Sequence, residues 1–153
     1  MENQIIKEMS FEDYMHIKDD LQKKYDDFWN QSILKSELEN PYSKYYVLKE
    51  DKDILGFGGF IDTAQDMEIT NIVIRKDCRG KGYGDFLLKF LINEIKKIYN
   101  QKKDVYQRII SLEVNEINKV AINLYEKNGF EEDGRRKKYY ENRYDAIIMS
   151  KKV

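Results

Sequence analysis

The stretch from Ile72 to Gly84, IVIRKDCRGKGYG, constrains the chain more than any other. Its β-branched start has the composition of a buried strand. It runs through Arg79-Gly80-Lys81-Gly82-Tyr83-Gly84, after which Leu87, Leu88, Leu91, Ile95 and Ile98 recur at the spacing of one helix face. A strand that passes through a glycine-rich turn straight into a helix leaves backbone N–H groups pointing outward at the helix start, where the helix dipole adds partial positive charge. That is a device for holding phosphate. Glycine is needed there because a Cβ would block both the turn and the close approach of an anion.

The rest of the chain alternates around this unit. Asn3 to Met9 reads as a strand, and Ser10 before Phe11-Glu12-Asp13 as the start of a helix to about Tyr25. A shorter helix covers Gln31 to Glu39, stopped by Pro41, the only proline. Tyr45 to Glu50 and Ile54 to Asp62 are strands around Asp51-Lys52-Asp53, and Met67 to Ile74 is a third. Beyond the long helix come a strand at Arg108 to Val114 and a helix at Asn118 to Lys127, which Asn128-Gly129 stops. Strands near Phe130 to Tyr139 and Ala146 to Lys151 follow. The order β, α, α, β, β, β, α, β, α, β, β implies an α/β fold whose mixed sheet carries helices on its faces. No repeat or low-complexity linker divides the 153 residues, so 1–153 is expected to be one domain.

Composition narrows the partners. The 27 basic and 28 acidic side chains nearly cancel, so net charge points to neither nucleic acid nor an anionic membrane. The longest apolar run, Ile54 to Ile61, is too short to span a bilayer. The opening MENQIIKEMS lacks a secretory pattern, and Cys78 is the only cysteine. A cytoplasmic location, with no membrane partner, no nucleic-acid partner and no metal, is the expectation. His16 reads as a surface or packing residue, and Cys78 lacks the histidine pairing of a nucleophile.

Three phosphate-binding patterns compete for the glycine turn. A nucleoside-triphosphate loop needs Gly-x4-Gly-Lys-Ser/Thr, which is absent. A dinucleotide fingerprint needs Gly-x-Gly-x-x-Gly, but Gly80, Gly82 and Gly84 are spaced two and two, and Asp85 stands where the last glycine belongs. Arg/Gln-x-x-Gly-x-Gly/Ala, the coenzyme A pattern, is matched by Arg79, Gly82 and Gly84. An ordinary tight βα turn explains the same residues.

The second half adds Leu112-Glu113-Val114 with Asn118, Leu124-Tyr125-Glu126-Lys127-Asn128-Gly129-Phe130, and Gly134 to Tyr140 followed by Asp145-Ala146-Ile147-Ile148-Met149. With Ile69 to Ile74, the glycine turn, Trp29 and Glu37 to Tyr42, these segments resemble the GNAT superfamily of N-acetyltransferases over nearly the whole chain. Within it they resemble the RimI-type branch, the ribosomal-protein-alanine N-acetyltransferases. The resemblance implies the GNAT fold: a mixed, mostly antiparallel seven-stranded sheet flanked by about four helices. It also implies acetyl transfer from acetyl-CoA to an N-terminal α-amine, with a ribosomal-protein N-terminus as substrate and a monomer or weak dimer as the working form.

Such a reaction needs a base for the ammonium and a proton donor for the leaving thiolate. By resemblance Glu113 is the base, acting directly or through one water, and Tyr125 is the acid. A carboxylate in an apolar strand is costly unless it lies in a cleft or is paired. On pattern alone Glu113 fits an exposed strand edge, and Tyr125 fits a core tyrosine. The resemblance further implies that the Ile72, Val73 and Ile74 backbones meet the acetyl and pantetheine arm. Arg79, Gly80, Lys81, Gly82, Tyr83, Gly84 and Asp85 meet the pyrophosphate, and Asn118 meets the cofactor. Asn118 also fits a helix N-cap. Asp85 departs from the basic or small residue common at its position. Tyr139 and Tyr140, with Trp29 and Phe28 as an opposite wall, are candidates for the peptide slot; paired strand aromatics and a packed tryptophan are the plainer readings. The run Arg135 to Lys138 reads as a solvated edge or a steering patch. An acetyltransferase for another amine, or a CoA-binding module without turnover, remains open on sequence.

Overall fold

The computed structural model describes residues 3–27 and 29–153. Its strands are β1 (Gln4–Glu8), β2 (Ser43–Glu50), β3 (Asp53–Asp62), β4 (Met67–Ile74), β5 (Ile109–Asn115), β6 (Glu131–Tyr140) and β7 (Tyr144–Lys152). The α-helices among the described residues are α1 (Phe11–Ile17), α2 (Gln31–Glu39), α3 (Tyr83–Gln101) and α4 (Lys119–Lys127). One seven-stranded sheet runs β1-β2-β3-β4-β5-β7-β6. Only the β4–β5 pair is parallel; the other neighbours are antiparallel. The mixed sheet expected from the element order, and the mostly antiparallel arrangement of seven strands implied by the resemblance, are both observed. No described helix is long and apolar enough to cross a membrane.

Each face of the sheet buries its own core. On one side α3 lays down Leu87, Leu88, Leu91 and Ile95 against Phe60, Met67, Ile69, Ile110, Leu112 and Met149, and α4 adds Ile122 and Tyr125. On the other, Tyr14, Ile17, Leu21, Tyr25, Trp29 and Leu34 cover Tyr45, Val47, Phe57 and Val73. At about 25 cal/mol per Å² of apolar area removed from water, these two layers dominate stability.

The expected first helix is shorter than its apolar stripe. Ile17, Leu21 and Tyr25 are all buried at four-residue intervals, but α1 ends at Ile17 and Leu21–Tyr25 forms one π-helical turn. The Asp20 N–H bonds to the Ile17 carbonyl, and the Asp26 N–H to that of Leu21, so the ladder changes register between them. The start of α1 is as read: Ser10 and Asp13 form a reciprocal capping box. The 51–53 turn is tighter than read, since Glu50 pairs with Asp53 directly across it.

A bulge in the middle of the sheet positions the site. Gly59 pairs with Asn71 but Phe60 pairs with Ile69, so Thr70 is the extra residue on β4. Tyr45 Oη lies 2.6 Å from Thr70 Oγ1, which is 3.2 Å from the Gly59 carbonyl, so side chains pin the bulge. A Cβ on Gly59 would lie 2.5 Å from the Lys44 carbonyl, so only glycine fits. β4 and β5 pair only at Met67–Ile110, Glu68–Ser111 and Ile69–Leu112. Beyond that point each is held by its outer neighbour alone, β4 as far as Ile74 and β5 as far as Asn115. A gap opens between them.

Candidate functional site

The gap is framed by main chain on the β4 side. Arg75 N–H bonds to the Leu55 carbonyl on β3. By the two-residue alternation of an antiparallel ladder, Val73 also turns its N–H and C=O to β3, leaving those of Ile72 and Ile74 to face the gap. This corrects the expectation for Val73, which is 2% exposed and packs in the α1–α2 core. The Ile72 N–H is held by the Asn71 side chain at 2.8 Å, so Asn71 must turn aside before that donor serves anything else.

The glycine turn lies at the mouth of the gap. Gly80 and Gly82 have φ of +78° and +85°, the left-handed region that glycine enters freely. Gly82 is the N-cap of the nineteen-residue α3 and offers no side-chain cap, so the first-turn N–H groups of Tyr83, Gly84 and Asp85 lack intrahelical partners. This arrangement fits a diphosphate. Arg79 does not face it: its Nε donates to the Ile74 carbonyl at 3.0 Å and its Nη2 to the Tyr25 carbonyl, bracing the turn against the π-helical segment. Lys81 is exposed beside the turn. Asp85 faces away toward α4, where Asn128 Nδ2 donates to it at 2.9 Å and Lys127 pairs with it, while Lys89, one turn on in α3, pairs with it from its own helix. Those partners, the Asn128 hydrogen bond foremost, hold its pKa below the usual carboxylate value. The Asp85 side chain, which departs from the residue common at its position, thus bridges α3 and the end of α4. Asn118 is exposed and caps α4, its Oδ1 accepting from the Ala121 N–H at 3.2 Å.

Glu113 and Tyr125 lie on opposite faces of the sheet. On β5, Ile110, Leu112 and Val114 are buried while Ser111, Glu113 and Asn115 turn to the other face. Glu113 pairs with Arg136 at 2.7 Å, with its side chain 22% exposed. Both conditions that make a carboxylate tolerable in such a strand are thus met. Arg136 comes from the edge strand β6, in register with Ala146, and small side chains at Gly134 and Ala146 leave its reach to Glu113 open. Tyr125 is 6% exposed and lies in the α3–α4 core, edge-on to Phe130 at 5.9 Å. Burial, aided by nearby Tyr140, pushes its phenol up to about 12, so it stays protonated at neutral pH.

Tyr140 links the two. Burial raises its pKa, with further contributions from Glu113 and Tyr139. It is half-buried, while Tyr139 is 56% exposed and stands edge-on to it at 5.1 Å. The pairing between Arg136 and Tyr140 is irregular, with Lys138 at φ +49°. Trp29 corrects the expectation made for it: at 3% exposed, edge-on to Tyr45 and Phe57, it packs inside the α1–α2 core rather than lining a slot. Phe28 lies outside the described residues.

Two residues escaped the sequence reading. Arg136 was legible only as part of a basic run. Glu68 is the polar member of the alternation that opens β4 and is paired with Ser111, two residues from Glu113 on the same face. Burial raises its pKa, reinforced by the Glu113 charge. Cys78 is 6% exposed, and burial raises its thiol further from reactivity. His16 is on the surface at the end of α1. No group of His, Cys, Asp or Glu among the described residues is arranged to hold a metal. A cleft of about 470 Å³ lined by Lys23, Lys24, Asp53, Arg75, Lys76 and Asp77 contains none of the expected site residues. Two of its cations are already matched, Arg75 to Asp77 at 2.6 Å and Lys76 to Asp27 at 3.2 Å.

Comparison with known proteins places this geometry. The model of the acetyltransferase (GNAT) family matches residues 5–130. A Bacillus subtilis (strain 168) protein, provisionally named a ribosomal protein bS18-alanine N-acetyltransferase, is 34% identical over 146 residues, 94% of this chain and 92% of that one. The ribosomal protein bS18-alanine N-acetyltransferase of Escherichia coli (strain K12) is 30% identical over 125 residues, covering 80% and 79%. A crystal structure of the Escherichia coli ribosomal-protein-S18-alanine N-acetyltransferase superposes with a TM-score of 0.83 at 26% identity, covering 98% of this chain and 94% of that one.

Proposed function

The chain belongs to the acetyltransferase (GNAT) family, and on that premise we propose that it acetylates the N-terminal α-amine of a protein, with the N-terminal alanine of the eighteenth small-subunit ribosomal protein as the leading substrate. One observation carries the reading. A carboxylate on β5 and a buried, protonated phenol on α4 lie on opposite faces of the sheet beside the β4–β5 gap, with an uncapped helix start near its β4 bank. The substrate assignment is supported by the names of the relatives and by the tyrosines at the end of β6.

Acetyl-CoA supplies an activated thioester. The α3 start is suited to holding its pyrophosphate through main-chain N–H groups, and the backbone of Ile72 and Ile74 to holding the arm that enters the gap. An α-ammonium has a reference pKa of about 8 and is mostly protonated near pH 7. Glu113 takes its proton, directly or through one water, while Arg136 holds the carboxylate in place. Tyr125 donates to the sulfur as it leaves. Tyr139 and Tyr140 hold the peptide at the outer end.

Thiol release from acetyl-CoA separates the readings when an alanine-starting peptide, a lysine-containing peptide and spermidine are compared side by side. The alanine-starting peptide should react fastest. Preference for lysine or spermidine would move the enzyme to another amine class, and CoA binding with no release from any amine would make it a binding module.

A further inference from the structure

Asp85 occupies the first turn of α3, where the proposed function places a diphosphate, yet an acid there repels an anion. Its contacts give it another task. Its Oδ1 accepts from Asn128 Nδ2 at 2.9 Å, and the same Nδ2 donates to the Leu124 carbonyl at 2.9 Å, closing the last turn of α4. The Asn128 and Phe130 N–H groups both bond to the Tyr125 carbonyl at 3.0 Å, so the proposed proton donor belongs to the turn that Asp85 grips. Next to this bridge the two helices meet closely: a Cβ on Gly84 would lie 3.5 Å from Leu124 Cδ2. Of the nine-residue α4 only Ile122 and Tyr125 are buried, with Ala121 and Leu124 half-buried against the core, so the Asp85 bridge adds a polar tie to the turn that holds Tyr125.

We propose that Asp85 is a positioning residue: it clamps the last turn of α4 to the first turn of α3, setting where the Tyr125 hydroxyl stands, while its charge weakens the hold of the α3 start on phosphate. The inference rests on the proposed cradle and on Tyr125 as donor. Its signature is opposite movement of affinity and turnover.

Asp85→Ala should bind CoA about two- to fivefold more tightly, the size of one charge at a helix start. Its kcat should fall about tenfold, since small misplacement of a reacting group is costly. Asp85→Asn keeps an oxygen for Asn128 and should recover most of that kcat while retaining the tighter CoA binding. Asn128→Ala should lose turnover as Asp85→Ala does, with CoA affinity within about twofold of the parent, because no charge changes. Amide hydrogen exchange across α4 supplies a readout independent of turnover. It should quicken in Asp85→Ala and Asn128→Ala but not in Asp85→Asn. Unchanged α4 exchange in both disruptive variants, or weaker CoA binding in Asp85→Ala, would overturn the proposal. Should the unaltered protein acetylate no amine, the proposed function fails, and exchange and CoA affinity still decide the clamp.

Discussion

Replacing Tyr125 with Phe removes one oxygen from the interior and leaves the ring on Phe130. With the phenol pushed up to about 12, the ionised fraction at pH 9 is on the order of 0.1%, against about 10% for an ordinary tyrosine. The donor is therefore loaded throughout the working range. It is also a weak acid. Relative to a thiol of pKa about 8.5, full proton transfer from such a phenol is uphill by about 3.5 units, or about 5 kcal/mol. In the proposed role Tyr125 would thus act mainly as a hydrogen bond to sulfur as charge builds, and a hydrogen bond to a charged group contributes about 1.5–3 kcal/mol. That converts to a loss of roughly ten- to 150-fold in kcat for Tyr125→Phe, with CoA affinity within about twofold. Thiol release with an alanine-starting peptide, from pH 6 to 10, reads this directly. Two results would refute the reasoning: turnover of Tyr125→Phe within twofold of the parent, or a fall in the parent rate near pH 9–10 that the substitution abolishes.

Glu113→Gln should lower kcat/KM about 10²- to 10³-fold, the range of a general base, while thermal stability changes little because the Arg136 side chain it leaves is 58% exposed. Asp13→Ala removes the capping-box carboxylate and the partner of Lys49 at 3.2 Å, and urea melts should show a loss of roughly 2 kcal/mol at pH 7. Burial alone would raise the Asp13 pKa, but the Ser10 and Lys49 hydrogen bonds outweigh it and lower the value; its stabilisation is complete above the unfolded pKa of about 3.9 and is lost as pH falls through the folded value, so the difference between parent and variant should shrink below pH 4. Burial first of all raises Tyr25, Tyr46 and Tyr125 to about 12, so between pH 10 and 12 the unfolded chain sheds protons that the folded one keeps, and urea midpoints should drop steeply there.

The order of elements was legible because each has a strong local signal. Met67–Ile74 and Gln31–Glu39 begin and end where the sequence indicates, and Gly129, at φ +90°, lies just beyond α4 as a helix stop should. The interruption after Ile17 was not legible, because the apolar stripe continues through Leu21 and Tyr25 while only the hydrogen-bond register changes. The residues around Glu113 depend on strand register. Arg136 reaches it across β7, and Glu68 comes near it only because β4 and β5 pair in parallel, so neither neighbour is visible along the chain. Trp29 shows the opposite limit. An aromatic at a helix junction reads equally well as wall or core, and only burial decides.

The extra residue at Thr70 has a thermodynamic consequence. With only three rungs joining β4 to β5, the sheet has a seam down its middle, crossed elsewhere by side-chain packing alone. A slender ligand lying in that seam, bonding to main chain on one bank and touching α4 on the other, substitutes for the missing rungs. Cohesion between the two halves then scales with how much ligand is present, as mass action requires of anything that binds only the folded form. The same division separates tasks. On the proposed function the diphosphate cradle is built before β5 and the base and peptide tyrosines come from β5 onward, so one bank could change its acceptor without rebuilding the other.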